Sequence, residues 1–257
     1  MEESSAGKKV FFLYPPSVIR DNLISHLIEQ EYEVYMLNDH ILANRILHLF
    51  PTSIIYVNLD ANLGEAEWEE WIRKTMADPV TATVGIGIVS YNSDEALHKK
   101  YLMDIGIQCG YIKLKLGMEE STRILLATLK ATEAKGRRKY VRASCASDSL
   151  SSVNIKDLNK QVTGNIHDIS VVGFSCSFQP DPQFKKGMVL HDVQLKLRGS
   201  LLKVEALIYG TRSDDGITYV MLFTQGLESA PRQKIRNYLQ IALQAELDLQ
   251  IKSGTVS

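Results

Sequence analysis

Two rhythms of apolar and polar residues divide this chain. Between residues 9 and 132, short apolar runs alternate with longer amphipathic segments. KKVFFLY (8–14) reads as a buried strand. SVIRDNLISHLIEQE (17–31) follows, with Val18, Ile19, Leu23, Leu27 and Ile28 close to helical spacing. The alternation then repeats: YEVYMLN and HILANRILHLF, TSIIYVNL and EAEWEEWIRKTMAD, TATVGIGIVSY and DEALHKKYLMDIG, CGYIKLK and MEESTRILLATLKATEAK. In the third helix Trp68, Trp71 and Ile72 share a face. Five βα units in succession predict a parallel sheet covered by helices on both faces.

Near residue 135 the rhythm changes. Short runs rich in Val, Ile, Leu and Phe are now separated by Gly, Asn, Asp and Ser turns such as SDDG (213–216). GMVLHDVQLKLRG, SLLKVEALIYGTR and GITYVMLFTQG read as consecutive antiparallel strands, and a compact β-barrel is their natural closure. The last segment, SAPRQKIRNYLQIALQAELDLQIK (229–252), has helical periodicity, with Ser229 as candidate N-cap and Pro231 in the first turn. The pattern therefore predicts two domains, 9–132 and 133–257, with no internal repeat and no low-complexity tract.

Composition narrows the chemistry. The chain has 257 residues, 45% of them hydrophobic, and a formal net charge of −1. A near-neutral protein does not coat nucleic acid, so any anion binding is local. Cys109, Cys145 and Cys176 are far apart, form no CxxC pair, and read as reduced structural residues. The polar start MEESSAGKK is followed by no long apolar run, which argues for a cytoplasmic protein without membrane insertion. No metal-ligand, triad or other catalytic constellation is visible, so a non-enzymatic protein without cofactor is expected.

Local charge is another matter. Residues 130–142 hold Lys130, Lys135, Arg137, Arg138, Lys139 and Arg142 against Glu133, an excess of five positive charges. Their densest part is GRRKYVR (136–142). HDISVVG (167–173) follows some 25 residues later. Taken separately, each admits a plainer explanation, a solvated linker and a polar strand end. His167, a lone histidine, reads as incidental.

The first half resembles the receiver domain of two-component signalling, in strand order and in fragments such as MDIGIQCGYIKLK. That family holds magnesium on carboxylates after strand 1 and phosphorylates an aspartate after strand 3. Here strand 1 runs into Tyr14, Pro15 and Pro16, and Asn58 stands at the acceptor position, with Asp60 two residues on. Ser90 matches the family's hydroxyl residue. Leu114 aligns with its lysine, flanked by Lys113 and Lys115. An amide is a poor nucleophile and gives magnesium no charge. The resemblance thus implies a pseudo-receiver, a docking platform without the reaction.

The second half resembles the PilZ domain, which carries RxxxR ahead of its first strand and [DN]xSxxG on a following one. Arg138 and Arg142 supply the first motif, extended by Arg137. Asp168, Ser170 and Gly173 supply the second. The resemblance implies a ligand, cyclic di-GMP, and makes Arg137, Arg138, Arg142, Asp168, Ser170 and Gly173 its binding residues. The chemistry agrees: an arginine fork can donate to guanine O6 and N7 or pair with a phosphate, and Asp168 can accept from guanine N–H donors. Period 2 along a strand predicts Asp168 and Ser170 facing outward together, with Ile169 and Val171 entering the core. Gly173 is expected to need positive φ or a close backbone approach.

The resulting expectation is a cyclic di-GMP receptor in which a receiver-like (βα)5 domain precedes a PilZ antiparallel β-barrel with a closing helix. Binding would change domain arrangement or the binding of an effector protein through the receiver-like domain, with motility, adhesion or exopolysaccharide as outputs. The alternative is a phosphorylation-dependent response regulator with PilZ as output domain.

Overall fold

The computed structural model describes residues 7–157, 160–213, 216–224 and 227–252. These form two compact units: residues 7–139 with 248–252, and residues 140–247.

The first unit is a parallel sheet of β1 (Val10–Leu13), β2 (Val34–Leu37), β3 (Ile54–Asn58), β4 (Gly85–Ser90) and β5 (Tyr111–Lys113), in the order β2-β1-β3-β4-β5. All four residues of β1 and all five of β3 are buried, as expected of central strands with helices on both faces. Alternation within β1 sends Val10 and Phe12 into the layer that also holds Leu23, Leu27, Leu125 and Leu129. The helices are α1 (Ile24–Glu29), α2 (His40–Leu49), α3 (Glu65–Ala77), α4 (Glu95–Lys99) and α5 (Met118–Ala131). The face expected of α3 is seen in its buried Trp68 and Ile72, with Trp71 half-buried.

Two helices contain a wider-wound turn that simple periodicity does not anticipate. Residues Ile19–Leu23, ahead of α1, are π-helical, and Ile24 N–H donates to Ile19 O. Lys100–Ile105 continue α4 in the same way. That turn ends at Gly106, whose φ of +79° suits a residue without Cβ and whose N–H donates to Tyr101 O at 3.0 Å.

The second unit is antiparallel. Its strands are β6 (Ala143–Ser144), β7 (Ser152–Asp157), β8 (Lys160–Ser170), β9 (Gly173–Phe178), β10 (Val189–Leu197), β11 (Ser200–Ser213) and β12 (Ile217–Phe223). The order β8-β7-β10-β11-β12-β9, closed by β8 pairing with β9, makes a six-stranded barrel, and β6 is added on β8. Val153, Ile155, Ile169, Cys176, Val193, Leu195, Ala206 and Met221 are all fully buried in its core. Arg198 and Gly199, with φ of +45° and +88°, form the two-residue turn between β10 and β11, the geometry favoured between twisted strands.

A helix, α6 (Ser229–Lys252), follows the barrel and buries Ile235, Tyr238, Leu239, Leu243 and Leu247. Ser229 is its first helical residue rather than its cap. The carbonyl of Glu228 accepts the Arg232 N–H at 3.2 Å, so the helix starts one residue earlier than the Ser229 cap implied. Pro231 lies in the first turn, where a missing N–H costs little.

Candidate functional site

The site residues of the second unit are assembled by strand pairing. The two residues of β6 pair with the end of β8 in the register Ala143↔Ile169 and Ser144↔Asp168. Beyond them, Cys145 N–H donates to His167 O at 2.7 Å. Ala143 and Cys145 are buried, at 1% and 2% exposure, and so peg the short strand to the barrel. Arg142, immediately ahead of β6, is thereby brought to Asp168: Nη1 lies 3.9 Å from Oδ1. Both side chains are partly exposed, so the pair is screened by water and contributes little to stability. Arg137 and Arg138 are exposed, in the segment ahead of the boundary at residue 139.

Asp168 has a second partner. The hydroxyl of Ser175, on β9, donates to Asp168 Oδ2. Sequence reasoning missed Ser175, though GFSCSF contains the signal: Phe174, Cys176 and Phe178 are buried at alternate positions, which places Ser175 and Ser177 on the opposite face. His167 is tied down too, with Nε2 2.9 Å from Ser177 Oγ.

The strict alternation expected along β8 is broken by a bulge. Opposite β9 the register jumps from Ile166↔Cys176 to Asp168↔Ser175, so His167 is an extra residue. Ile166 and Ile169, three apart, both reach the core, with Ile169 fully buried. Asp168 remains partly exposed, but Ser170 does not share its outward face. At 3% exposure, Ser170 closes the turn into β9: its hydroxyl donates to Gly173 O at 3.2 Å and accepts Val172 N–H at 3.4 Å. Gly173 meets the expectation of close approach and not that of positive φ. A Cβ there would lie 2.2 Å from Met221 O and 3.1 Å from Leu222 Cα, because β12 crosses directly beside it. Ser170 and Gly173 therefore shape the turn that presents Asp168.

Upstream, part of the cationic run is bound into the first unit. Ala134 O accepts Lys8 N–H at 2.8 Å, and the Lys135 ammonium sits 5.0 Å from the Tyr32 ring centroid.

The carboxyl end of the parallel sheet is the other candidate region. Asn58 is buried, donating from Nδ2 to Tyr14 O at 2.8 Å and accepting Asp60 N–H at 3.1 Å. Asp60 accepts from Ser90 Oγ at 2.7 Å and from Tyr91 N–H at 2.6 Å. After β1, Tyr14 (φ +52°) takes an aromatic position beside Trp68, and its hydroxyl accepts from Asn62 Nδ2 at 2.9 Å. Leu114 is buried, and Lys113 is paired with Glu95. Burial pushes the thiols of Cys109 and Cys145 up to about 11, and that of Cys176 higher still, so these buried cysteines are poor nucleophiles.

Comparison with known proteins adds a family. The PilZ domain family matches residues 136–240, a span that begins at GRRKYVR and ends inside α6. Residues 136–240 are a PilZ domain. Among solved structures, the PilZ domain with c-di-GMP of YcgR from Escherichia coli is 15% identical, with TM-score 0.38, covering 46% of this chain and 98% of that one. The K. pneumonia MrkH–c-di-GMP complex is also 15% identical, with TM-score 0.37, covering 46% and 55%. The Mn(2+)-bound response regulator Rcp1 is 12% identical, with TM-score 0.38, covering 48% and 92%. The match spans about half of a longer YcgR structure, 52% of that chain. No curated protein matches the chain in sequence. Among the described residues no helix is long and apolar enough to cross a membrane.

The crowding at the PilZ turn generates a prediction. Gly173→Ala is expected to lower unfolding stability by about 2 kcal/mol, within the range for forcing a methyl into a filled site. Urea denaturation followed by tryptophan-independent far-UV dichroism checks it. An unchanged midpoint would mean that β12 yields to the added methyl.

Proposed function

We propose that the PilZ domain binds cyclic di-GMP, with Arg137, Arg138 and Arg142 as donors to guanine edges and phosphates and Asp168 as acceptor from a guanine. Ser170 and Gly173 serve the same site by fixing the turn after Asp168. The observation that carries this reading is the β6–β8 pairing, which brings the second arginine of RxxxR beside the aspartate of DxSxxG. The partly exposed Arg142–Asp168 pair can open toward a ligand at small cost, because neither group is deeply desolvated. The ligand itself is a dianion with two planar bases, which suits three arginines better than three lysines.

On this reading the protein is a receptor and not an enzyme. Ligand capture by residues 137–142 changes the arrangement of the chain at the domain junction or its grip on an effector protein, for which the receiver-like unit is the docking platform. Motility, adhesion and exopolysaccharide are the outputs such a receptor would serve. The rival, a phosphorylation-dependent regulator, needs a free carboxylate at the end of β3. Asn58 stands there, and Asp60 is already held by Ser90 and Tyr91. Incubation with acetyl phosphate and magnesium is expected to leave the intact mass unchanged; a phosphoryl adduct on Asp60 would restore the rival.

Calorimetric titration tests the ligand. Arg138→Ala and Arg142→Ala are each expected to weaken cyclic di-GMP binding by about 2 kcal/mol or more, the scale of a lost charge-assisted hydrogen bond. Stability should move by no more than about 0.5 kcal/mol, as at other exposed positions. Arg138→Lys is expected to lose most of the affinity, since an ammonium keeps the charge without the planar fork. A lysine variant whose curve overlays the wild type would reduce the segment to a diffuse electrostatic patch. Cyclic di-AMP is expected to bind far more weakly, because its amino group meets the arginine donors where guanine offers O6. Equal affinity for the two would contradict recognition of the base.

A further inference from the structure

The short strand that aligns Arg142 is fastened from its far side by α6. β6 has only two residues, too few to hold a register unaided. The residues that follow it, 145–151, wrap around one side chain of α6. The Tyr238 hydroxyl, in a residue 4% exposed, lies 3.0 Å from Asp148 Oδ2, 3.0 Å from Ser151 Oγ and 3.2 Å from Cys145 Sγ. Ser151 Oγ also donates to Asp148 Oδ2 at 2.7 Å, and Leu150 N–H donates to Asp148 Oδ1 at 3.0 Å. The half-buried carboxylate thus gathers two hydroxyls and one amide, and both hydroxyls belong to buried residues, Tyr238 and Ser151.

We infer that Tyr238 is a positioning residue for the ligand site: its hydroxyl ties residues 145–151 to α6 and so holds β6 on β8 with Arg142 facing Asp168. The chain of contacts is continuous. Tyr238 meets Cys145, Cys145 N–H donates to His167 O, and Ser144 pairs with Asp168 one residue on. No ligand atom touches Tyr238 in this account; it acts through the register of β6. As far as it concerns cyclic di-GMP, the inference rests on the binding reading above. It makes the closing helix part of the binding apparatus, and by reciprocity makes α6 a place where ligand binding is felt.

Tyr238→Phe tests this, because it keeps the ring in the core and deletes only the hydroxyl. Without ligand, the variant is expected to exchange the backbone amides of Ser144 and Cys145 faster than the wild type, measured by hydrogen–deuterium exchange. With cyclic di-GMP, Kd is expected to rise about fivefold, the scale of mutations that act on a site through packed neighbours. In an Arg142→Ala background the same substitution is expected to change Kd little, since its effect runs through that arginine. A purely structural role would lower affinity equally in both backgrounds, and that result overturns the inference. Unchanged exchange at residues 144–145 overturns it as well. A wild-type protein that takes up no cyclic di-GMP defeats the binding reading alone, and the exchange measurement still decides whether Tyr238 holds β6.

Discussion

The antiparallel pairing of Ala143 and Ser144 with the end of β8 is the contact on which the proposed ligand site depends. It joins two motifs separated by more than twenty residues of chain, and does so through backbone bonds that carry no information about a ligand. Register is what matters. A slip of one residue would send Arg142 to the other face of the sheet and bury a charge or expose Ala143. Two buried pegs, Ala143 and Cys145, set that register, and the bulge at His167 sets the direction of Asp168. Arg137, Arg138 and Arg142 stay at the surface just ahead of this pairing in the chain, where the proposed ligand would meet them.

The first unit shows a different arrangement, in which polar groups at the strand ends are satisfied by one another. Its order β2-β1-β3-β4-β5 puts the topological switch point at the carboxyl ends of β1 and β3. What fills that edge is an internally satisfied set: the Asn58 amide bridging the Tyr14 carbonyl and the Asp60 amide, and the Asp60 carboxylate closed onto Ser90 and Tyr91. Groups committed to one another in this way have little left to offer a divalent cation. Fold likeness alone says nothing about activity, and here the donors themselves carry the argument.

The architecture was legible because the two halves bury their strands differently. Continuous apolar runs such as VFFL and IIYVN mark strands covered on both faces, while runs broken by Gly, Asp and Ser turns mark the barrel. The motif residues were legible from type and spacing. Their orientation was not, because one extra residue at His167 breaks the period-2 count, and Ser170 turns out to serve its own turn rather than the surface. The π-helical turns at residues 19–23 and 100–105 were hidden for a similar reason: a single widened turn barely disturbs an apolar stripe. Tyr238 and Ser175 were hidden because their importance lies in contacts with residues distant in the chain, and neither side chain stands out locally.

The most direct test of the account is hydrogen–deuterium exchange of the intact protein with and without cyclic di-GMP. The account predicts slowed exchange at backbone amides of residues 137–145 and 167–173, the two segments that β6 and β8 bring together. Protection concentrated elsewhere in the chain, or none at saturating ligand, would contradict it.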